Sequence, residues 1–314
     1  MKKTARKILI VKTSSLGDIF HTLPLLPYLR QDEVDWIVKP QFKGAVERLV
    51  HECYTVDDLP KKGYDIAIDL QGNCRSLGIM MRIKAADKVG FGRRSIPEWP
   101  SLLATSRRFE VDLTRPITEQ YLSLLQQAIP LSESAGDEKI TYPLTLEEEE
   151  EVKCILSDLS FPVTMVCPLS TWENKQLDPV ALVQLLKQKQ GPFLFVMKGK
   201  PLLAEALCRA FPGSKWVGEL KIPVWQRLIE NMALVISADS SALHLAALTE
   251  TPTLSFFGPS SSEIYAPQGK RHKTIQGFCP YGQSFVKRCK KLRTCPTGAC
   301  LKALSPQQIL EKST

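Results

Sequence analysis

The sequence predicts an α/β protein built on parallel sheets and divided into two domains. Three observations carry that reading. The chain has 314 residues, about twice the common domain size of roughly 150. Short apolar runs that read as buried strands alternate with longer segments of helical spacing, which is the rhythm of βαβ units. After an acidic run at residues 147–151 that rhythm starts again. Two Rossmann-like domains facing across a cleft are therefore expected, residues 1–155 and 156–314, with function at the carboxyl ends of their strands.

Residues 7–12 (KILIVK) form the first strand candidate, followed by a polar loop and a Leu- and Pro-containing segment, 19–29. Residues 34–38 read as a second strand, and 42–50 have helical spacing. Residues 64–70 (YDIAIDL) make a buried-strand run that ends in a carboxylate and Gln71-Gly72. The five acids at 147–151 suit the first turn of a helix spanning 144–159, where they complement the helix dipole. Beyond it, 163–167, 193–197, 234–238 and 253–257 read as strands. Residues 179–188, 202–210 and 243–248 read as helices. The last helical spacing, 305–311, is expected to pack back across the first domain. No internal sequence repeat is strong enough to demonstrate duplication.

Composition narrows the class. Hydrophobic residues make up 44% and charged residues 24%, ordinary values that exclude a disordered or fibrous chain. No run approaches the ~18 apolar residues of a membrane span, and the first apolar run leads into Lys12-Thr13-Ser14-Ser15 rather than a cleavage site. A cytoplasmic protein is expected. There are 41 Lys and Arg against 33 Asp and Glu, a net charge of +8, which favours anionic partners without choosing among them. The nine cysteines suit reduced thiols. Cys53, Cys74, Cys154, Cys167 and Cys208 are expected as buried small hydrophobes.

Two stretches carry chemistry. In Lys12-Thr13-Ser14-Ser15-Leu16-Gly17-Asp18, small hydroxyl residues and one glycine let the backbone approach a ligand and offer N–H donors. Asp18 falls at a strand-to-helix turn, and two roles are open to it: a helix cap or a general base. In Ile236-Ser237-Ala238-Asp239-Ser240-Ser241-Ala242-Leu243-His244, the residues after a strand fall where a helix frees its first N–H groups, a ready diphosphate site. An ordinary Asp/Ser cap with a buried His244 is the plainer alternative. The following Phe257-Gly258-Pro259-Ser260 brings a second loop to an adjacent strand end.

The ordered set KTSSLGD-x-x-HTLP, D-L-Q-G with Arg75-Ser76, G-F-G at 90–92, D-S-x-x-x-H-L-A-A and F-F-G-P-S resembles the ADP-heptose glycosyltransferases of lipopolysaccharide core assembly. The resemblance covers nearly the whole chain. It implies the GT-B fold and an inverting transfer of heptose from ADP-heptose to the lipopolysaccharide inner core, Kdo–lipid A or the first core heptose. Asp18 would be the base on the acceptor hydroxyl. Ser170, Thr171 and Lys175 would contact the donor phosphates, Glu205 the ribose, and Asp239, Ser240, Ser241 and His244 the donor. Ser241 departs from the family pattern, which usually has Gly there. Ser15, Gly17, Arg75, Arg93 and Arg94 would serve the acceptor, the arginines suiting its phosphates and carboxylates.

Such a reaction needs one base and a stabilised leaving group, and the chain has no D-x-D pair. No cofactor and no catalytic metal are therefore expected. Cys279, Cys289, Cys295 and Cys300 number enough for a structural zinc or iron, but no pair has C-x-x-C spacing, so they are read as reduced thiols. The positive charge implies peripheral association with the cytoplasmic face of the inner membrane. Three other functions stay open to the sequence: transfer to a protein acceptor, a non-catalytic sugar-nucleotide-binding protein, and a nucleic-acid binder. The last is disfavoured because the cations are dispersed and 287–293 lacks interleaved aromatics.

Overall fold

A computed structural model describes residues 5–131, 138–189, 191–304 and 307–309. The chain forms two compact units, Met1–Tyr142 and Pro143–Thr314. The second begins earlier than the expected boundary at 155/156, because helix α4 (Leu146–Ser157) packs on helix α7 (Ile222–Glu230). The acidic run does open α4: Thr145 accepts from Glu148 N while Glu148 reaches back to Thr145 N, a capping box.

The first unit holds β1 (Lys7–Val11), β2 (Glu33–Val38), β3 (Glu52–Thr55), β4 (Gly63–Asp69), β5 (Lys84–Phe91) and β6 (Arg107–Phe109) in one sheet, order β3-β2-β1-β4-β5-β6. All neighbours are parallel. Its helices include α1 (Leu16–Phe20), α2 (Cys74–Arg82) and α3 (Ile117–Ala128). Ile8, Leu9, Ile10 and Val11 are fully buried, as expected of a central strand covered on both faces.

The second unit holds β7 (Thr164–Cys167), β8 (Phe193–Val196), β9 (Lys215–Val217), β10 (Leu234–Ala238), β11 (Thr253–Phe257) and β12 (His272–Gln276), order β12-β11-β10-β7-β8-β9 and again all parallel. Read from the other edge, this is the strand order of the first sheet, so each unit is Rossmann-like. Helices α5 (Pro179–Lys187), α6 (Pro201–Ala210) and α8 (Ser241–Ala246) belong here. Among the described residues no helix is long and apolar enough to cross a membrane.

Three expectations need correction. Residues 42–50 form no α-helix: a 3-10 helix runs over Pro40–Ala45 and turns follow. Of the five cysteines expected to be buried only Cys167 is: Cys53 and Cys208 are half-buried, and Cys74 and Cys154 are exposed, because they lie on the outer faces of α2 and α4. Of the final helical spacing only 307–309 is described, and Ile309 is fully buried in the second unit's own core with Leu301, Phe256 and Phe195.

Candidate functional site

In the first unit β1 and β4 are neighbours, and the chain crosses over to opposite sides of the sheet from them. The carboxyl ends of such a pair form a topological switch point, where open α/β sheets bind ligands. The loop after β1 leads into α1. Ser15 is the N-cap of α1, and Asp18 Oδ2 accepts from Ser15 N at 3.1 Å and Ser15 Oγ at 2.7 Å. Asp18 thus closes a capping box, so the capping role is real and leaves the carboxylate on the helix that opens at the switch point. Gly17 lies in the same turn, its carbonyl accepting from His21 N at 3.1 Å.

The loop after β4 holds the loop after β1 in place. Asp69 is 1% exposed. Its Oδ1 accepts from Gln71 N and Gly72 N, both at 2.9 Å, and its Oδ2 from Ser76 Oγ at 2.8 Å. Burial raises its pKa, against the pull of Gly72 N–H and the Ser76 hydroxyl. The tight turn explains Gly72, which has φ +66° and whose Cβ would lie 2.7 Å from Pro97 Cδ. Gln71 then reaches across the switch point: its Oε1 accepts from Thr13 N at 3.0 Å, Ser14 N at 3.2 Å and Thr13 Oγ1 at 3.4 Å. Lys12, also buried, donates to Leu70 O at 3.1 Å and Tyr121 Oη at 2.8 Å. Gln71, Asp69 and Lys12 were not singled out as site residues, although a lysine ending an apolar strand was a visible signal. Arg75 on α2, and Arg93 and Arg94 after β5, are exposed, with no ion pair among the described residues.

The second unit repeats the arrangement at β7 and β10. Asp239 follows β10, is 4% exposed, and turns its carboxylate inward. Oδ2 accepts from Lys175 Nζ at 2.6 Å and from Ser260 Oγ. Oδ1 lies 3.3 Å from His244 Nε2. Burial alone would raise the Asp239 carboxyl, but the His244 hydrogen bond and the Lys175 charge hold it well below the usual carboxylate range. Ser170 Oγ donates to Asp239 O at 3.1 Å. Ser240 is the N-cap of α8 and Ser241 its first residue, so the N–H groups of Ser241, Ala242 and Leu243 precede the first intrahelical donor, His244. The structure therefore gathers Ser170, Lys175, Asp239 and His244, with Ser240 and Ser241 adjoining. Thr171 is exposed on the same loop, whereas Glu205 is exposed on α6 and makes no bond to this cluster. Ser260 belongs to the F-F-G-P-S motif, but nothing local in that motif marks it as Asp239's partner.

Among the described residues no three of the four C-terminal cysteine sulfurs fall within metal-ligand spacing of one another, although Cys279 and Cys295 both lie near enough to Cys300 to raise its pKa by their charge. Burial raises Cys300, while hydrogen bonds from the Thr297 hydroxyl and the Thr297 and Gly298 N–H groups lower Cys295. Their segment instead braces the loops of the site. Cys289 N donates to Pro259 O at 2.7 Å, and Arg293 lies over the Trp172 ring at 5.5 Å. Gly258 gives room to this segment: a Cβ there would lie 2.9 Å from Leu301 Cγ. The one group among the described residues with metal-ligand spacing is Asp35, His51 and Glu52. Lys62 already bridges Asp35 and Glu52 at 2.8 Å each, and Tyr64 Oη donates to Asp35 at 2.7 Å. These residues lie toward the amino ends of the strands, the end opposite to Asp18.

Comparison with known proteins agrees with this geometry. The family model described as glycosyltransferase family 9 (heptosyltransferase) matches residues 56–294. Lipopolysaccharide heptosyltransferase 1 of Pseudomonas aeruginosa is 24% identical over 318 residues, covering 90% of this chain and 87% of that protein. The E. coli heptosyltransferase WaaC with ADP aligns at TM-score 0.70 and 19% identity, over 85% of this chain and 92% of that one. A family 9 glycosyltransferase from Veillonella parvula aligns at TM-score 0.80 and 15% identity, over 100% and 97%. These neighbours share the two-sheet GT-B architecture. With the family match spanning well over half of its length, this chain belongs to glycosyltransferase family 9, the heptosyltransferase family, and is a glycosyltransferase.

Proposed function

We propose that the chain transfers heptose from ADP-heptose to the lipopolysaccharide inner core, at the cytoplasmic face of the inner membrane, with inversion at the anomeric carbon. The observation that carries the reading is the pair of switch points. One has a carboxylate, Asp18, on the helix that opens there. The other has a lysine, hydroxyl groups and the start of α8. An inverting transfer requires these two functions and no enzyme nucleophile. The names of the Pseudomonas and E. coli relatives support heptose and ADP as the donor's parts.

In this mechanism Asp18 takes the proton from the acceptor hydroxyl as that oxygen attacks the anomeric carbon, and the bond to the diphosphate breaks on the opposite face. Ser15 N–H and Oγ hold one oxygen of Asp18, which fixes the carboxylate's orientation. Charge then grows on ADP. Lys175, Ser170, Thr171, Ser240 and the N–H groups at Ser241 meet it. Asp239 and His244 do not face phosphate directly: a buried carboxylate would repel it, and Asp239 acts by holding Lys175, His244 and Ser260. Glu205 is assigned to the ribose, and Ser15, Gly17, Arg75, Arg93 and Arg94 to the acceptor and its anionic groups. Neither a cofactor nor a metal is required by these roles.

The test is transfer to Kdo–lipid A by wild type and Asp18→Asn, with ADP affinity measured in parallel. Transfer should fall by roughly 10²–10⁴ while ADP binding stays within about threefold. Normal turnover in Asp18→Asn would remove Asp18 as the base. Loss of ADP binding in that variant would show that Asp18 serves the donor instead.

A further inference from the structure

The two arginines after β5 stand on a turn that the end of β6 holds in place. Strands β5 and β6 are parallel and paired through Phe91 and Phe109, so Gly92 and Glu110 leave the sheet side by side. Gly92 N donates to Phe109 O at 2.7 Å, and Gly92 O accepts from Ser95 N at 3.1 Å and Ile96 N at 2.9 Å. These bonds close the turn that carries Arg93 and Arg94. Glu110 spans it: Oε2 accepts from Ser95 Oγ at 2.6 Å and from Arg94 N at 3.1 Å, and Oε1 lies 3.2 Å from Arg94 N. Ser95 Oγ in turn accepts from Val111 N at 3.0 Å. The Ser95 hydroxyl, and after it the Arg94 N–H and charge, hold the Glu110 carboxyl below its ordinary value.

Gly92 makes room for the carboxylate. A Cβ at this position would lie 2.5 Å from Glu110 Cδ and Oε1 and 2.9 Å from Oε2. Gly92 is not among the glycines of positive φ, so the close approach of Glu110 accounts for it rather than the backbone conformation. The far end of the same loop is tied as well: Glu98 N donates to Gly72 O at 3.1 Å, and Glu98 Oε2 accepts from Cys74 N at 2.8 Å. Because the strands of this sheet are parallel, the loops after β1, β4 and β5 lie along one edge, the edge on which Asp18 lies. Arg93 and Arg94 are exposed there, whereas Ser95 beside them is 6% exposed. The backbone is thus fixed and the guanidinium arms are left to meet a ligand, which spares the cost of ordering the turn on binding.

We propose that Glu110 is a positioning residue for acceptor recognition: seated against Gly92, it holds the turn that presents Arg93 and Arg94 to an anionic group of the acceptor. The role rests on the assignment of those arginines to the acceptor in the proposed transfer. It runs opposite to the effect of the Glu110 charge. By charge alone, an acid beside the arginines weakens the binding of an anion, and its removal would tighten it. As a splint, its removal weakens binding.

The experiment measures kcat and KM for Kdo–lipid A, ADP affinity and the thermal midpoint in wild type, Glu110→Ala, Glu110→Gln, Gly92→Ala and Arg93→Gln/Arg94→Gln. Glu110→Ala should raise the acceptor KM roughly tenfold, with kcat and ADP affinity within about twofold of wild type. Gly92→Ala keeps the acid but displaces it, and should raise KM in the same way. Glu110→Gln keeps an acceptor oxygen at the same reach without the charge, and should stay within about threefold of wild type. The double arginine variant should raise KM at least as far as Glu110→Ala. A lower or unchanged KM in Glu110→Ala, beside a raised KM in the arginine variant, would overturn the positioning role alone. So would a Glu110→Gln enzyme no better than Glu110→Ala, or a loss of kcat, ADP affinity and thermal midpoint together. A wild-type KM in the arginine variant, or no transfer to Kdo–lipid A by wild type, would instead remove the acceptor assignment, and the role of Glu110 with it.

Discussion

Replacing Gln71 by Met would separate the loop that carries Asp18 from the turn that holds it. Gln71 Oε1 is the acceptor for Thr13 N at 3.0 Å and Ser14 N at 3.2 Å, and Met offers nothing comparable at nearly the same volume. An unsatisfied buried donor costs about 1–3 kcal/mol. Ser14 is half-buried, so water can replace part of its loss, but Thr13 is fully buried, and the two N–H groups together cost about 2–4 kcal/mol. Freed of that splint, the loop should sample positions that misplace Asp18, and a shift near 1 Å can cost about 10²-fold in rate. We expect kcat for transfer to fall roughly 10–100-fold. ADP affinity should not move, since the residues proposed to bind the donor lie in the other unit. Gln71→Glu keeps an acceptor oxygen at the same reach and should restore most of kcat. Steady-state kinetics with ADP calorimetry on the three proteins decides the matter. Full kcat in Gln71→Met, or a Gln71→Glu enzyme no better than Gln71→Met, would refute the positioning argument.

Lys175→Met should weaken ADP binding by roughly 10–100-fold, the value of a hydrogen bond to a charged group. An unchanged affinity measured by calorimetry in the presence of a chelator would leave Lys175 a purely structural partner of Asp239. Asp239 should also shape acid stability. Its folded pKa is depressed, because the bonds and charges of His244 and Lys175 outweigh burial. Its contribution is therefore complete above the unfolded value near 4 and is lost as pH falls below it. Urea midpoints of wild type and Asp239→Asn should differ most at neutral pH and converge below about pH 4. A gap that stays constant down to pH 3 would mean that the folded protein does not depress the Asp239 pKa.

The central strands were legible because parallel strands covered on both faces read as continuous apolar runs. LVISA and TLSFF were bounded correctly at both ends. The strands toward the sheet edges were not. KAADKVGF, ECYT and HKTIQ are half-exposed and carry charges, so their pattern does not differ from loop. Helical spacing misled at 42–50, where Pro40 and Gly44 favour the tighter 3-10 turn. At the site, the loops could be placed because each follows a legible strand. What each side chain faces could not: Gln71 meets Thr13 across 58 positions, and Lys175 meets Asp239 across 64. Nothing local in DSS or DLQG states that Asp239 turns inward, or that Asp69 ties down a turn.

The two halves use one device with opposite electrostatic settings. In each, a buried aspartate at or just after the end of the fourth strand organises the loop that leaves the first strand, across the switch point between them. Asp69 works through neutral donors, Ser76 Oγ and two backbone N–H groups, with Lys12 acting only at a distance. Its desolvation is not offset and its pKa rises. Asp239 instead touches Lys175 directly and His244 closely, and its pKa falls. The difference follows from what each loop must meet. On the proposed roles, the loop of Asp18 meets a neutral hydroxyl and needs a fixed backbone rather than a held cation, and Asp69 accordingly accepts only from neutral donors. A loop that meets a diphosphate, on the same roles, needs its lysine immobilised before the ligand arrives, and the ionised Asp239 supplies the charge that holds Lys175 in place.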